Sequence, residues 1–262
     1  MAINVLPVND APVITSSSFN AAENQTAVGS LLATDADVPA DTLTWSLTGG
    51  GADSGAFTVS PTGVLSFNTA PNFESPGDSD GDNVYAVEVQ VNDGTDTVTK
   101  TITVTVTDAN EAPTAIGLSN LSVAENAAGA VIGNLSTTDA DGGDSHIYTV
   151  DDTRFEVVGD QLKLKAGQSL DHETEPSVTL TVTSTDTGTL STSQGFTISV
   201  TDANDAPVIT STNFNAAENQ TAVGSVLATD ADVPADTLSW SLGSGGADTS
   251  LFSISSGGVL SF

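Results

Sequence analysis

"KTITVTVTDANEAP", residues 100–113, decides the fold, because an alternating strand runs directly into a short acidic linker that ends in proline. Val and Ile alternate with Thr over the first half, which is the period-two pattern of a half-buried β-strand. The same order recurs at 195–207 as "GFTISVTDANDAP", and a shortened linker, "VNDAP", stands at 8–12. Each copy therefore predicts the last strand of a module and the linker that follows it.

The sequence repeats with a domain-sized period. Residues 11–47 recur at 206–242 with four changes, and a diverged copy between them carries "AEN" at 124–126 and "TDAD" at 138–141. A period of this length indicates tandem domains, because solenoid repeats are much shorter. The predicted boundaries are 1–10 for the end of a preceding repeat or linker, 11–110 for the first repeat, 111–205 for the second and 206–262 for a truncated third.

Alternating segments without any helical stripe predict an all-β fold. Six or seven short strands per module, separated by Gly, Asp and Asn turns, are typical of an antiparallel Greek-key β-sandwich. We expect such sandwiches to stack head to tail. Trp45 and Trp240 stand at equivalent strand positions and are expected in the core, as is Tyr148. The third repeat ends inside its predicted fifth strand, so we expect 206–262 to be poorly ordered alone or to recruit strands from a neighbouring chain.

Composition limits the partners of this chain. It has 34 Asp and Glu against 4 Lys and Arg, a formal net charge of -30, which excludes nucleic acid and anionic membrane surfaces as partners. There is no cysteine for a disulfide or thiolate site. No apolar run is long enough to span a membrane, so direct membrane insertion is not expected. The first residues do not form a signal peptide, and we expect any export signal to lie outside this chain.

Strand counting places the acidic residues. Loops alternate between the two ends of a sandwich, so stacked modules bring acidic loops from both sides to each joint. At the first joint the expected carboxylates are Glu23, Glu74, Asp108, Glu111, Asp139, Asp141 and Asp186. At the second they are Glu125, Asp171, Glu173, Asp202, Asp205, Asp230 and Asp232.

Such crowding favours bound cations. Two carboxylates about 5 Å apart repel by roughly 3 kcal/mol at an effective dielectric of about 20. Oxygen ligands without a His or Cys set select Ca²⁺ over transition metals. The predicted role of the linker is therefore that of a calcium-binding hinge between modules.

The sequence resembles cadherin repeats through four motifs that occur in the order of that family: "AEN", "TDAD", "LDHE" (170–173) and "DANDAP". The short linkers are similar to those in the cadherin-like repeats of very large bacterial surface and secreted proteins. The resemblance implies Ca²⁺ at the matching positions and adds Asn110 and Asn204 of the linkers to the ligands. Two departures stand out. Asn72 of "PNFE" replaces a carboxylate, and Pro7 replaces the first linker's Asp, which leaves at best a half-site there.

The function implied is that of calcium-rigidified spacer or adhesion repeats in a large extracellular or cell-surface bacterial protein, associated with the membrane through its parent chain. The expected partners are Ca²⁺, neighbouring repeats of the same parent chain, and a cell-surface protein or glycan. The alternative is an adhesin module that itself recognises a carbohydrate or protein. An enzyme is not expected, because no Ser/His/Asp set or phosphate loop is present and only 5% of residues are aromatic.

Three further features leave alternatives open. "DSDGDN" (78–83) resembles the start of an EF-hand loop but lacks its closing Glu, so it is either a solvated insertion or an extra weak Ca²⁺ site. His146 and His172 lack a second histidine partner and are expected to be bystanders, although His172 lies between two predicted ligands.

Overall fold

The computed structural model describes residues 8–37, 41–232 and 234–262. Pro7 lies outside the described residues, whereas Asn9 and Asp10 of the same linker are described, and the backbone N–H of Asp10 donates to Asp37 Oδ2 at 2.9 Å. Strands make up nearly all of the regular structure, alongside two 3₁₀ turns at Ser54–Ala56 and Thr249–Leu251. The predicted all-β fold class is confirmed. No helix in these ranges has the length and hydropathy needed to cross a bilayer.

The chain divides into two compact units. One comprises residues up to Glu111 together with Ala140–Gly143, and the other comprises Ala112–Asp139 and Asp144–Phe262. The predicted repeat boundaries are a finer division than these two units, and they stay a prediction.

The strands of the first unit follow the predicted order of the first repeat. They are β1 (Val13–Ile14), β2 (Ser18–Ala22), β3 (Ala27–Ser30), β4 (Ala33–Thr34), β5 (Thr44–Leu47), β6 (Phe57–Val59), β7 (Val64–Phe67), β8 (Val84–Asn92) and β9 (Thr97–Thr107). They form a four-stranded sheet in the order β2-β9-β8-β5, a three-stranded sheet β3-β7-β6 and the pair β1-β4.

The hairpin of β8 and β9 supplies much of the first core. Every second residue of β8 from Tyr85 to Val91 is at most 3% exposed, and β9 buries Ile102, Val104 and Val106 to 1% or less. The intervening positions are polar or small, so one face of the hairpin is apolar and the other faces solvent. The buried face packs with Trp45, Phe57, Leu65 and Phe67 in one hydrophobic cluster.

One strand pairing differs from the antiparallel arrangement expected. β2 pairs with β9 in parallel, and this occurs because the predicted first strand is split into two parts. The first part, β1, pairs with β4. Between β1 and β2 the chain crosses to the four-stranded sheet, where β2 lies beside β9. The first and last strands of a seven-strand module run in the same direction, so they can be neighbours only as a parallel pair.

The second unit builds a second sandwich. Its strands are β10 (Ala115–Leu118), β11 (Ser122–Ala124), β12 (Val131–Thr138), β13 (Ile147–Val150), β14 (Phe155–Val158), β15 (Gln161–Leu164), β16 (Ser177–Thr185) and β17 (Ser191–Thr201). The sheets are β10-β12-β15-β14 and β11-β17-β16-β13, with the parallel pair repeated by β11 and β17. Tyr148 packs against this core, as predicted.

The third repeat keeps only part of the pattern. Its strands are β18 (Val208–Ile209), β19 (Ala222–Ser225), β20 (Ala228–Thr229), β21 (Ser253–Ile254) and β22 (Val259–Ser261). Among its described residues, no apolar side chain is buried. The prediction that Trp240 lies in a strand and in the core is wrong here, since it is half-buried and outside any strand, whereas Trp45 is 6% exposed on β5.

Candidate metal centres

Glu23 is a buried acid at the turn after β2. Its side chain is 1% exposed, and its two oxygens accept hydrogen bonds from the backbone N–H of Phe73 (2.8 Å) and of Ala109 (3.0 Å). Asn24 makes the turn with a φ of 59°, a left-handed conformation that Asn tolerates better than most residues. Glu23 thereby joins the loop before β8 to the linker after β9.

Four further carboxylates of the first unit surround Glu23. One oxygen each from Glu23, Glu74 and Asp108 lies within 4.8 Å of the others, and the same holds for Glu74, Glu111 and Asp141. The backbone N–H of Glu111 donates to Asp141 Oδ2 at 2.8 Å. We refer to these five residues as the first-unit carboxylate group.

The first-unit carboxylate group carries uncompensated negative charge. Burial, followed by the charges of the neighbouring carboxylates, raises the pKa of Glu74, of Asp108 and of Glu111 above their ordinary values. Glu111 Oε1 accepts a hydrogen bond from Asn24 Nδ2, but its Oε2 is buried and makes no hydrogen bond. Asn110 Nδ2 donates to the backbone oxygen of Glu111, which fixes the linker turn.

The second unit repeats this arrangement around Glu125. This side chain is 2% exposed and accepts hydrogen bonds from the backbone N–H of His172 (2.7 Å) and of Ala203 (2.8 Å). The bond from Ala203 and then the bond from His172 lower the pKa of Glu125, so its charged form is favoured. Glu125 therefore sits as an anion at the same turn as Glu23.

Glu173 is the least satisfied acid of the second unit. Both of its carboxylate oxygens are buried and make no hydrogen bond, and burial followed by the charges of Glu125 and Asp202 raises its pKa. Ligand atoms of His172, Glu173 and Asp202 lie within 4.8 Å of one another. The Nδ1 of His172 is 2.7 Å from the backbone oxygen of Val200, a contact that holds the ring in place.

The linker and the following loop complete this second group. The backbone N–H of Asp205 is 3.1 Å from each carboxylate oxygen of Asp232, and Asp232 in turn donates its N–H to Asp230 Oδ1 at 3.2 Å. Asp205 Oδ1 accepts from Asn126 Nδ2 at 2.9 Å. Asn204 Nδ2 donates to the backbone oxygen of Asp205, as Asn110 does to Glu111. We refer to the predicted ligands of this unit as the second-unit carboxylate group: Glu125, Asp171, Glu173, Asp202, Asp205, Asp230 and Asp232. Asp171 is included by its motif position, because its side chain is hydrogen bonded to Thr174 of its own turn.

Asp139 and Asp186 belong to the second unit. Asp139 Oδ2 is 2.9 Å from His146 Nε2, and Asp186 Oδ1 accepts the backbone N–H of Leu190 at 2.8 Å. Asp186 is 5% exposed. Their predicted role as partners of the first joint stays a prediction.

Asn72, which stands where the second repeat has Asp171, preserves a local turn. Asn72 Oδ1 accepts the backbone N–H of Ser75 at 2.6 Å, and Asp171 Oδ1 accepts that of Thr174 at 3.0 Å. The replacement of Asp by Asn in the first unit therefore keeps the turn hydrogen bond and removes one negative charge from the loop.

Sequence reasoning missed one recurring acid. One carboxylate oxygen each from Asp35, Asp37 and Asp41 lies within 4.8 Å of the others. Burial, followed by the negative charges of Asp37 and Asp35, raises the pKa of Asp41. Its counterpart in the second repeat is Asp144. Asp35 and Asp144 each have a buried Oδ2 that makes no hydrogen bond. The signal was an Asp a few residues after each "TDAD" motif.

The insertion at 78–83 folds around its own first carboxylate. Asp78 accepts the backbone N–H of Asp82 (2.9 Å) and of Asn83 (3.3 Å), and one oxygen each of Asp78, Asp80 and Asp82 lies within 4.8 Å of the others. The hydrogen bond with Asp78 and the charge of Asp82 raise the pKa of Asp80. Both readings of this loop, solvated insertion and weak Ca²⁺ site, remain compatible with this geometry.

Comparisons with known proteins add a family and a fold. Residues 9–108 match the family model described as "bacterial cadherin-like domain". The chain is similar to the extracellular domain of protocadherin GammaB4 (TM-score 0.60, 25% identity, 97% of this chain and 44% of that chain). No curated protein matches this sequence significantly.

Two further solved structures show the same likeness. Mouse cadherin-23 EC22-24 gives a TM-score of 0.62 at 22% identity, with 97% of this chain and 88% of that chain covered. Protocadherin gammaB7 EC3-6, described as a cis-dimer structure, gives 0.62 at 25% identity over 96% of this chain and 65% of that chain. The chain therefore spans less than two thirds of the length of two of these three structures.

Proposed function

We propose that this chain consists of calcium-binding repeats that stiffen a larger adhesion protein, on the premise that residues 9–108 match the bacterial cadherin-like domain family, an adhesion-type repeat. The ligands would be the first-unit and second-unit carboxylate groups, with Asn110 and Asn204 of the linkers. Asp139 and Asp186 are proposed ligands by their motif positions.

The observation that carries the proposal is the state of Glu173. Both of its oxygens are buried without a hydrogen bond, next to other carboxylates that disfavour its charge. Buried carboxylates are normally paired or bound to a metal, because an unpaired buried charge is strongly unfavourable. A cation at this point would supply the missing partner, and Glu111 Oε2 in the first unit presents the same need.

The donor set fits Ca²⁺. Carboxylate and amide oxygens make up nearly all of it, and Ca²⁺ takes six to eight oxygen ligands in flexible geometry. His172 is the one nitrogen donor near Glu173 and Asp202, and its Nδ1 already contacts Val200. A bound Ca²⁺ would supply positive charge and would neutralise several acids at once.

Cross-linking of repeats is the proposed mechanical role. In the second unit, Asp202 and Asp205 belong to the linker, while Asp230 and Asp232 belong to the third repeat, and Asp205 is already hydrogen bonded to Asp232. An ion held by residues from both sides would oppose bending at the linker. This supports a spacer or adhesion role on the outside of a bacterial cell, with neighbouring repeats of the parent chain as partners and a cell-surface protein or glycan as adhesion target.

The test is a Ca²⁺ titration of the full chain by calorimetry, with small-angle scattering before and after chelation. We expect binding in the range of about 10⁻⁴–10⁻³ M or tighter, and a longer, narrower particle with Ca²⁺. Glu173→Gln should weaken binding, and Glu218→Gln, at an exposed acid of the third repeat, serves as the matched control. An unchanged maximum dimension on chelation, together with no heat of binding, would refute the proposal.

A further inference from the structure

His172 places a nitrogen donor among the acids of the second unit. It is the third residue of "LDHE" (170–173), and the matching motif of the first repeat, "PNFE", has Phe73 in that place. One ring nitrogen of His172 and one carboxylate oxygen each from Glu173 and Asp202 lie within 4.8 Å of one another. The two units therefore differ in donor chemistry, because Phe73 offers no ligand atom to the first-unit carboxylate group.

The hydrogen bonding of the His172 ring determines which nitrogen is free to bind a metal. Nδ1 is 2.7 Å from the backbone oxygen of Val200, and a carbonyl oxygen only accepts, so Nδ1 carries the proton. In the neutral ring, Nε2 then holds the lone pair. Histidines that bind metals usually donate their other ring N–H to a backbone carbonyl or a carboxylate, which fixes the ring. His172 has this arrangement before any ion binds.

Glu173 supplies an independent reason for a cation at this place. Both of its carboxylate oxygens are buried and make no hydrogen bond. A buried carboxylate without a partner is strongly unfavourable, and binding a metal ion is one of the two usual ways in which proteins satisfy it. A cation placed between Glu173, His172 and Asp202 would meet a nitrogen and two carboxylates at once.

One imidazole with two carboxylates is a different donor set from that of a calcium site. Ca²⁺ takes oxygen ligands, whereas imidazole suits Zn²⁺ and the transition metals next to it. With metal–ligand bonds of about 2.0–2.2 Å, a tetrahedral Zn²⁺ ion holds its donor atoms roughly 3.4 Å apart. Donor atoms that already lie within 4.8 Å of one another reach that spacing by small side-chain rotations.

We propose that His172, Glu173 and Asp202 bind a divalent metal ion of the Zn²⁺ class, through Nε2 and the two carboxylates, with water as the remaining ligand. The inference rests on the proposed function in one respect, because Glu173 and Asp202 are also proposed Ca²⁺ ligands. The two ions therefore compete in the second unit. All three ligands precede the third repeat, so Zn²⁺ at this place would displace Ca²⁺ without linking the linker to Asp230 and Asp232.

The probe is Zn²⁺ added to the full chain, followed by calorimetry and by NMR of the histidine rings. The chain has two histidines, so each ring can be followed separately. We expect Zn²⁺ to bind at least about tenfold more tightly than Ca²⁺ in the second unit, because imidazole and carboxylate together favour it. The Nε2 signal of His172 should shift on binding, while Nδ1 keeps its proton and its bond to Val200.

Three variants make the test specific. His172→Phe installs the residue of the first repeat and should weaken Zn²⁺ binding at least about tenfold, with less than about a twofold change for Ca²⁺. His172→Gln keeps a polar side chain and should give the same result, which guards against misfolding of the first variant. His146→Gln is the matched control, because this second histidine contacts Asp139 and none of the three proposed ligands.

Three results would overturn the proposal. The first is Zn²⁺ binding no tighter than Ca²⁺ binding. The second is unchanged Zn²⁺ affinity in both variants of His172, which would mean that carboxylates alone hold the ion. The third is an equal loss in His146→Gln, which would assign Zn²⁺ to the other histidine. Failure of the calcium proposal is distinguishable from these results, because it would appear as no Ca²⁺ binding in the original chain, whatever the Zn²⁺ titration gives.

Discussion

Residues 11–67 and 206–262 are nearly the same sequence in two different environments. Ile14 is 5% exposed and its counterpart Ile209 is 62% exposed. Glu23 is buried, while Glu218 at the same position of the motif is exposed. The difference follows from β8 and β9, because the described part of the third repeat has no counterpart of either strand.

What the two regions keep in common is local. The hairpin β6–β7 recurs as β21–β22 with the same register, and the turn glycines Gly63 and Gly258 have φ values of 88° and 83°. A Cβ at Gly63 would lie 2.9 Å from Trp45 Nε1, and one at Gly258 would lie 3.0 Å from Trp240 Nε1. Short-range sequence thus specifies these turns, whereas β2 and β5 form only beside a partner that is distant in sequence.

The largest expected contrast is in amide hydrogen exchange. Backbone amides of β5 should be protected roughly 10³-fold more strongly than those of 239–242, because β5 is hydrogen bonded to β8 and lies over a buried core. The measurement is exchange on the full chain, read on peptides covering 42–67 and 238–262. Equal protection would show that the third repeat is stable without a hairpin.

Two matched substitutions, one in each region, should differ by several kcal/mol in the free energy of unfolding that they remove. Leu65→Ala removes a fully buried side chain and should destabilise the first repeat by about 2–5 kcal/mol. Leu260→Ala, at the equivalent half-buried position, should change stability by less than about 1 kcal/mol. Denaturant titration monitored by exchange in each region measures both, and similar losses would contradict the comparison.

A third contrast concerns cation binding. Glu125→Gln should weaken Ca²⁺ binding by about tenfold or more, since it replaces an anion inside a crowded oxygen set. Glu218→Gln changes the same motif position in the third repeat, where the side chain is exposed, and should have little effect. Calorimetric titration compares the two, and a larger loss with Glu218→Gln would mean that the wrong acids have been assigned.

The smallest expected effect is a pH dependence in the first repeat. Burial and neighbouring charges raise the pKa of Glu74 above its unfolded value of 4.5, so without Ca²⁺ the folded state binds more protons than the unfolded state. Stability from this group is present below pH 4.5 and falls as pH rises through the raised pKa.

Glu74→Gln removes that dependence. The stability of the variant relative to the original chain should therefore increase with rising pH in chelator, measured by thermal unfolding at several pH values above 4. Saturating Ca²⁺ serves as the control and should cancel or reverse the gain, because Glu74 would then be a ligand. A relative stability that falls with pH in chelator would show that the charge of Glu74 is favourable in the folded state.

Much of the fold was predictable from period-two patterns. The alternating segments at 85–91 and 100–108 became β8 and β9, and the Pro-Gly turn became the β6–β7 hairpin. The split first strand and its parallel pairing with β9 were not predictable in this way. A crossing between sheets leaves no period in the sequence, and its register depends on a strand about 85 residues away.

The sequence by itself determined the repeats, the alternating strands, the acidic motifs and their resemblance to cadherin repeats, because these depend on spacing along the chain. Only the tertiary structure decided which acids are buried and unsatisfied. Glu173 lacks hydrogen-bond partners while Glu125 has two backbone donors, although both stand in predicted ligand motifs. The tertiary structure likewise decided that Trp45 is buried and that Trp240 is only half-buried, because a side chain is buried only when other residues fold over it.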